Sequence, residues 1–271
     1  MVSRIRRSSE EAAPRGVAGS LIDVLNPALW ILAPLVIWEI AARGMRLPDY
    51  ILPLPSQVVL RLVADRDNLL LQAARSSLLI VEGFLVGAIP GVAVGLLMAS
   101  ARLLEKALYP LIVFIQTTPQ IAIAPLLIVW FGYGALPKVM LAAMLTFFPV
   151  LVDSSTGFKS IDPRVFYVTR SMGASRWQTF RRVQLPAALP LIVSGCKISL
   201  LISVTVVIVV EFLSSNEGLG YVAVRALSNQ DLSLMFAAIF MAIGIGLAFS
   251  YLVDLGEWLL MPWVRVGRRG R

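Results

Sequence analysis

The sequence contains no histidine, and its one cysteine, Cys196, sits inside an apolar run. Imidazole acid–base chemistry, His-ligated zinc or haem, and disulfide frameworks are therefore outside its reach. Nor does Gly-x-x-x-x-Gly-Lys followed by Ser or Thr occur, so the 271 residues hold no P-loop to cradle nucleotide phosphates. No catalytic constellation and no metal-ligand set stands out. The polar residues that remain are suited to recognition and passage rather than to bond making, and they fall into three groups. Gln116-Thr117-Thr118-Pro119-Gln120 interrupts one apolar run. Ser199 and Ser203 stand four apart on one face of another. A basic stretch from Arg164 to Pro186, divided by Gly173, joins two apolar regions.

Lipid is the solvent these groups must be read against. The chain is 58% hydrophobic and 15% charged, with a mean hydropathy of +0.82, more apolar surface than a soluble domain of this size can hide. Its net charge of +8 is gathered at the ends of apolar runs, which fits the positive-inside rule and anionic lipid better than nucleic acid. Residues 1–26 are mixed-charge and polar, with no apolar core before a small-residue cleavage site; the expectation is a cytoplasmic tail without a removable signal peptide.

Six spans are expected. The first, Ala28 to Ala42, is short and includes Glu39. Arg43 to Ser77 follows, Pro-punctuated and then amphipathic, and reads as an interfacial helix. Leu78 to Met98 is a clear span in which Gly83, Gly87, Gly91 and Gly95 recur every fourth residue, leaving one face open to close helix approach. Ala107 to Phe131 is long enough to cross, but its polar middle is tolerated only against protein or a water-filled path, which makes Gln116 to Gln120 a candidate translocation route or else a satisfied kink. Val139 to Val152, Pro190 to Phe212 and Leu234 to Leu260 complete the set. Ser199 and Ser203 are further candidates for the path, although serines in such helices commonly satisfy backbone carbonyls. Glu211 ends the fifth span as a functional or an interfacial carboxylate.

The N-terminal tail, the Arg102–Lys106 turn, the 153–189 loop and the C-terminal tail hold most of the 24 Lys and Arg, which places both termini and that loop in the cytoplasm. Within the loop, Asp162-Pro163 is a helix start, Gly173 permits a left-handed reversal, and Ser175 can cap a second helix reaching Val183, with Leu185-Pro186 expected to end it. A helix–Gly–helix unit lying flat under the membrane needs a partner on the water side. The expected divisions are 1–26 as tail, 27–263 as the membrane domain and 264–271 as a basic tail.

Gly173 followed by Val183-x-Leu185-Pro186 resembles the EAA loop of membrane subunits of ATP-binding-cassette importers. APLLIVWFGYG (124–134), FFPVLVDSSTGFKSIDP (147–163), GASRWQTFRRVQLPAALP (173–190) and EFLSSNEGLGYV (211–222) resemble permeases for nitrate, sulfonates, taurine and pyrimidine precursors. The resemblance covers nearly everything beyond residue 28. It implies an all-α type I importer permease fold of about six transmembrane helices in a bacterial cytoplasmic (inner) membrane. It further implies a homodimer working with two ATPase subunits and an external substrate-binding protein. ATP and Mg would sit on the partner ATPase, and this chain would bind no cofactor, metal or nucleic acid. Residues of the coupling loop, Arg164, Tyr167, Arg170, Gly173, Ala174, Ser175, Leu185 and Pro186, would contact that ATPase. One departure stands out: Tyr167-Val168-Thr169 replaces the family's Glu-Ala-Ala. The alternative classes are a self-sufficient secondary transporter, for which neither intramembrane ionisable residues nor an internal repeat is evident, and a membrane enzyme, which lacks the residues for chemistry.

Overall fold

The computed structural model describes residues 32–45 and 48–263. The expected tails, 1–26 and 264–271, and the start of the expected first span lie outside the described residues. Those described are helical nearly throughout, without a strand, and the chain divides into two compact units after Gln57.

In the first unit, helix α1 (32–44) carries Glu39, whose carboxylate pairs with Arg43 one turn on. Ser56 donates its backbone N–H (3.1 Å) and its hydroxyl (2.9 Å) to the same carboxylate.

The remaining helices are α2 (Pro55–Ala64), α3 (Arg66–Ser100), α4 (Arg102–Thr117), α5 (Ala124–Phe131), α6 (Ala135–Lys159), α7 (Pro163–Ser171), α8 (Arg176–Thr179), α9 (Leu185–Ser214), α10 (Leu219–Ser228) and α11 (Leu232–Leu260). Four stretches among the described residues are long and apolar enough to cross a bilayer: α3, α6, the continuous run Arg176–Ser214, and α11. The α4–α5 pair, bent by 73°, makes a fifth if it is one broken span.

Two boundaries differ from the sequence expectation. The amphipathic stretch before Leu78 is not one interfacial helix: α2 ends at Ala64, and α3 starts at Arg66 and runs 35 residues without a break. Nothing between Arg66 and Leu78 is Gly or Pro, so helix propagates through it. At about 1.5 Å per residue α3 is about 52 Å long against a hydrocarbon core of about 30 Å, so it projects beyond the membrane. Leu69 and Ala73 in this projection are buried with Val58 of α2, Leu219 and Val222 of α10, and Ala237 of α11.

The glycine repeat sets how α3 meets α6. A β-carbon on Gly83 would meet the Ala142 side chain at 2.5 Å, one on Gly91 the Phe147 carbonyl at 2.8 Å, and one on Gly95 the Leu151 carbonyl at 2.8 Å. Each four-residue step on α3 is matched by a step of about four on α6, so the backbones run in contact along the whole seam. Helix α9 closes the other side of α6, with Gly157 against Ala188 and Gly195 against Asp153. Ile80, Leu141, Ala142, Val206 and Val207 form the core where the three helices meet.

Candidate functional site

The loop between α6 and α9 is built by capping. The Asp162 carboxylate accepts from the Arg164 N–H at 2.8 Å and Pro163 opens α7. At the far end Gly173 adopts φ +77°; its N–H donates to the Arg170 carbonyl and the Ala174 N–H to the Thr169 carbonyl. This is the Schellman arrangement that only a residue without a β-carbon adopts freely. Ser175 and Gln178 then exchange hydrogen bonds between side chain and backbone (3.2 and 2.8 Å), a complete capping box starting α8.

Leu185-Pro186 does not end that second helix, contrary to expectation. Phe180–Gln184 forms a π turn in which the Leu185 N–H reaches the Phe180 carbonyl, and α8 passes through it into α9. The widened turn accommodates a proline that lacks an N–H and crowds the preceding turn in a regular helix. The loop is thereby continuous with a span. It is also stacked onto the previous one: the Phe180 ring stacks on Trp177 (5.6 Å, 25° between planes) and on Phe158 of α6 (6.2 Å, 24°). Tyr167, Val168 and Met172 of this loop are left 72, 57 and 79% exposed.

The break in the second group falls where the polar residues are. Helix α4 stops at Thr117, a 3-10 turn covers Gln120–Ile123, and α5 departs at its new angle. Thr117 and Thr118 donate to the Phe114 carbonyl and the Gln120 amide to that of Ile115, so side chains replace part of the lost helical ladder. An open cavity of about 500 Å³ adjoins the break, lined by Gln116, Thr118, Pro119, Gln120, Phe148 and Pro149 among others. Ser199 and Ser203 are elsewhere. Both are fully buried; Ser199 donates to the Thr146 carbonyl of α6 (2.9 Å) and Ser203 to the Ile80 carbonyl of α3 (2.8 Å). They fasten helices together rather than face the cavity.

Residues 91–266 match the family described as the binding-protein-dependent transport system inner membrane component. The chain belongs to this permease family. Its matched stretch takes in the break, the α7–α8 loop and the spans on either side. The permease is 36% identical over 89% of its length to the formylaminopyrimidine transport permease protein ThiX of Halalkalibacterium halodurans, covering 96% of that relative. It is 35% identical to the riboflavin transport system permease protein RibX of Chloroflexus aurantiacus (84% of this chain, 86% of the relative). It is 31% identical to the putative aliphatic sulfonates transport permease protein SsuC of Bacillus subtilis (90% and 88%). Among solved structures, an inward-facing form of the MetNI methionine ABC transporter superposes with a TM-score of 0.58 at 18% identity, covering 72% of this chain and 95% of that one. That likeness is one of fold, and the fold is the type I importer arrangement.

In the permease a further polar centre lies at the opposite end of α9, around the Glu211 that the sequence marks as a functional or an interfacial carboxylate. Glu211 is fully buried. Its carboxylate accepts from the Ser76 hydroxyl of α3 (2.8 and 2.9 Å) and from the Gly220 N–H (3.0 Å), while Ser76 in turn accepts from the Leu219 N–H (2.9 Å). Gln72 accepts from the Gly218 N–H at 2.7 Å. Lys138 of α6, 3% exposed, donates to Ser215 at 2.7 Å, and Arg75 pairs with Glu217 at 2.7 Å. The 214–220 turn is thus pinned to α3, α6 and α9 together. A sequence signal existed in EFLSSNEGLGYV, but Ser76 is 135 residues away from Glu211 and carries no mark of its own.

Proposed function

We propose that this permease forms the translocation pathway of an ATP-driven, binding-protein-dependent importer and that its α7–Gly173–α8 loop receives the motion of a separate ATPase. What carries the reading is the loop's double attachment: covalent continuity into α9 through the π turn, and the Phe158–Phe180–Trp177 stack onto α6. A push on α7 therefore reaches two spans at once, as rocking of helices about a central site requires.

Arg164, Tyr167, Arg170, Gly173, Ala174 and Ser175 make the ATPase-facing unit, and Leu185-Pro186 joins it to the span. The missing carboxylate at Tyr167 is replaced by the exposed apolar face of Tyr167, Val168 and Met172, which offers the ATPase a surface to bury rather than an ion pair. Gln116 to Gln120 supply the polar wall of the path at the break. The assembly is a homodimer with two ATPase subunits, which hold ATP and Mg, and with an external protein that delivers a small nutrient. The membrane is the bacterial inner one, with both termini and the 153–189 loop cytoplasmic. Permeases similar to this one are named for formylaminopyrimidine, riboflavin and sulfonates, so a small heteroaromatic or anionic nutrient is the substrate class.

The test is reconstitution of the chain with its ATPase and binding protein in proteoliposomes. Uptake should require ATP and all components, with two permease copies per ATPase pair. Uptake by the permease alone under an ion gradient would overturn the proposal in favour of a secondary transporter.

A further inference from the structure

A second cavity, of about 680 Å³, lies between the ends of α3 and α6 and the α7–α8 loop. Four cationic side chains line it: Arg102, Lys159, Arg170 and Arg176. Lys159 is engaged by Glu105 of α4 at 2.7 Å. The three guanidinium groups have no ion pair among the described residues. Asp162, the nearby carboxylate of the loop, is taken up by capping α7. Phe158 and Phe166 supply an apolar part of the same wall. Positive charge is thus concentrated in a concave site without a compensating acid in its lining.

Its position narrows the ligand. Ala99 and Ser100 end helix α3 and Phe158 and Lys159 end helix α6, just past the apolar runs that close at Met98 and Val152, so a bilayer centred on those runs would bring its headgroups to the cavity. Guanidinium groups bind phosphate through paired N–H donors, and basic pockets between spans on the cytoplasmic side take anionic headgroups. We infer that this cavity binds a phosphate group, supplied by an anionic phospholipid whose glycerol region lies against Phe158 and Phe166. The inference rests on the proposed cytoplasmic placement of the 153–189 loop. A headgroup seated there bridges the span ends to α7 and holds the loop at a fixed height above the membrane.

The experiment uses the full chain, purified in mild detergent and stripped of lipid, with bound lipid counted by native mass spectrometry. Phosphatidylglycerol should be retained at least fivefold over phosphatidylcholine. The Arg102→Gln/Arg176→Gln variant should lose at least threefold of that retention with unchanged circular dichroism, and Arg225→Gln, outside the cavity, should retain it. Displacement of phosphatidylglycerol from the native chain by 10 mM inorganic phosphate would support recognition of the phosphate group itself, and persistence of the bound lipid in that buffer would overturn a phosphate-directed site. No preference over phosphatidylcholine, or equal retention by the double variant, overturns the inference. If the double variant unfolds, the single Arg102→Gln variant decides: phosphatidylglycerol retention at least twofold below native supports the inference, and any smaller loss overturns it. Detergent binding does not depend on sidedness, so the topology is tested separately by labelling Ser160→Cys in a Cys196→Ser background with an impermeant thiol reagent. Labelling from the outer face would remove the inner leaflet as the source without removing the site.

Discussion

The Glu211 carboxylate fills the space that a β-carbon at Gly218 would occupy, with all three of its heavy atoms inside contact distance of that position. Gly218 also holds φ +98°, where side chains are strained whatever room they have. One residue is therefore glycine for two independent reasons, and both serve to keep a buried carboxylate hydrogen-bonded. Gly218→Ala should destabilise the purified permease by about 1–3 kcal/mol, the scale of a strained backbone position or a lost buried polar contact. Thermal unfolding in detergent measures it, and Gly256→Ala, where nothing lies within 4 Å of the new carbon, should be close to neutral.

Removing the carboxylate itself should be graded. Glu211→Gln keeps an oxygen for the Gly220 N–H and gives the Ser76 hydroxyl an amide donor, whereas Glu211→Ala leaves both Ser76 and Gly220 short of a partner in a dry site. The expected order of stability is native, Gln, Ala, with the alanine variant lower by about 1–3 kcal/mol. Equal melting of the two variants would show that the hydrogen bonds contribute little.

Along α3 the expectation is steric. Gly91→Val places branched carbons onto the Phe147 carbonyl and the Val150 side chain, and the two helices must part to admit them. Because packing rather than water drives helix association in lipid, the variant should insert but fail to yield monodisperse protein on size-exclusion chromatography. Ser203→Ala, which removes one hydrogen bond to the Ile80 carbonyl, should by contrast cost about 0.6 kcal/mol, the average for such bonds between membrane helices.

The proposed coupling role of the α7–α8 loop predicts a separation of functions. Gly173→Val should abolish ATP-driven uptake while leaving the protein in the membrane, since a β-branched residue does not hold φ +77° and the Schellman bonds from Gly173 and Ala174 are lost. Tyr167→Glu places a charge in the exposed apolar face and should weaken ATPase association roughly tenfold in a pull-down, about 1.4 kcal/mol. Stronger association would show that an unmet cation waits on the ATPase.

At the break, replacing Gln116 and Thr117 by Leu should change the uptake rate with ATPase association unaltered. Gln116 projects from α4 beside the cavity, while the α7 loop is untouched. An unaltered rate would leave the break as packing alone.

What could be read from the chain follows from where each signal resides. The Gln116–Gln120 break, the glycine seam and the Asp162, Gly173 and Ser175 caps are local: their causes lie within a turn or two of their effects. The start of α3 lies before the expected one because hydropathy marks where lipid begins, and helix does not stop there. Pro186 departs from its expected role because a proline signals a helix end only in a regular helix, and the π turn that admits it has no composition of its own. Ser199 and Ser203 share a face as expected, but which neighbour that face meets is a property of the packing. The Glu211 centre needs Ser76, Gln72 and Lys138, contributed by two other helices, and only the tertiary structure brings them together.

The unbroken run from Arg176 to Ser214 has a mechanical consequence. Its 39 residues make a rod of about 58 Å, with the bend-prone π turn near one end. Pivoted there, it acts as a long lever with a short input arm: from Gln184 to Glu211 the rod is about 40 Å long, so a tilt of about 5° carries Glu211 sideways by about 3.5 Å. A displacement at the α8 end therefore arrives amplified at the Glu211 end, and the hydrogen-bonded 214–220 turn is the load at the end of the stroke.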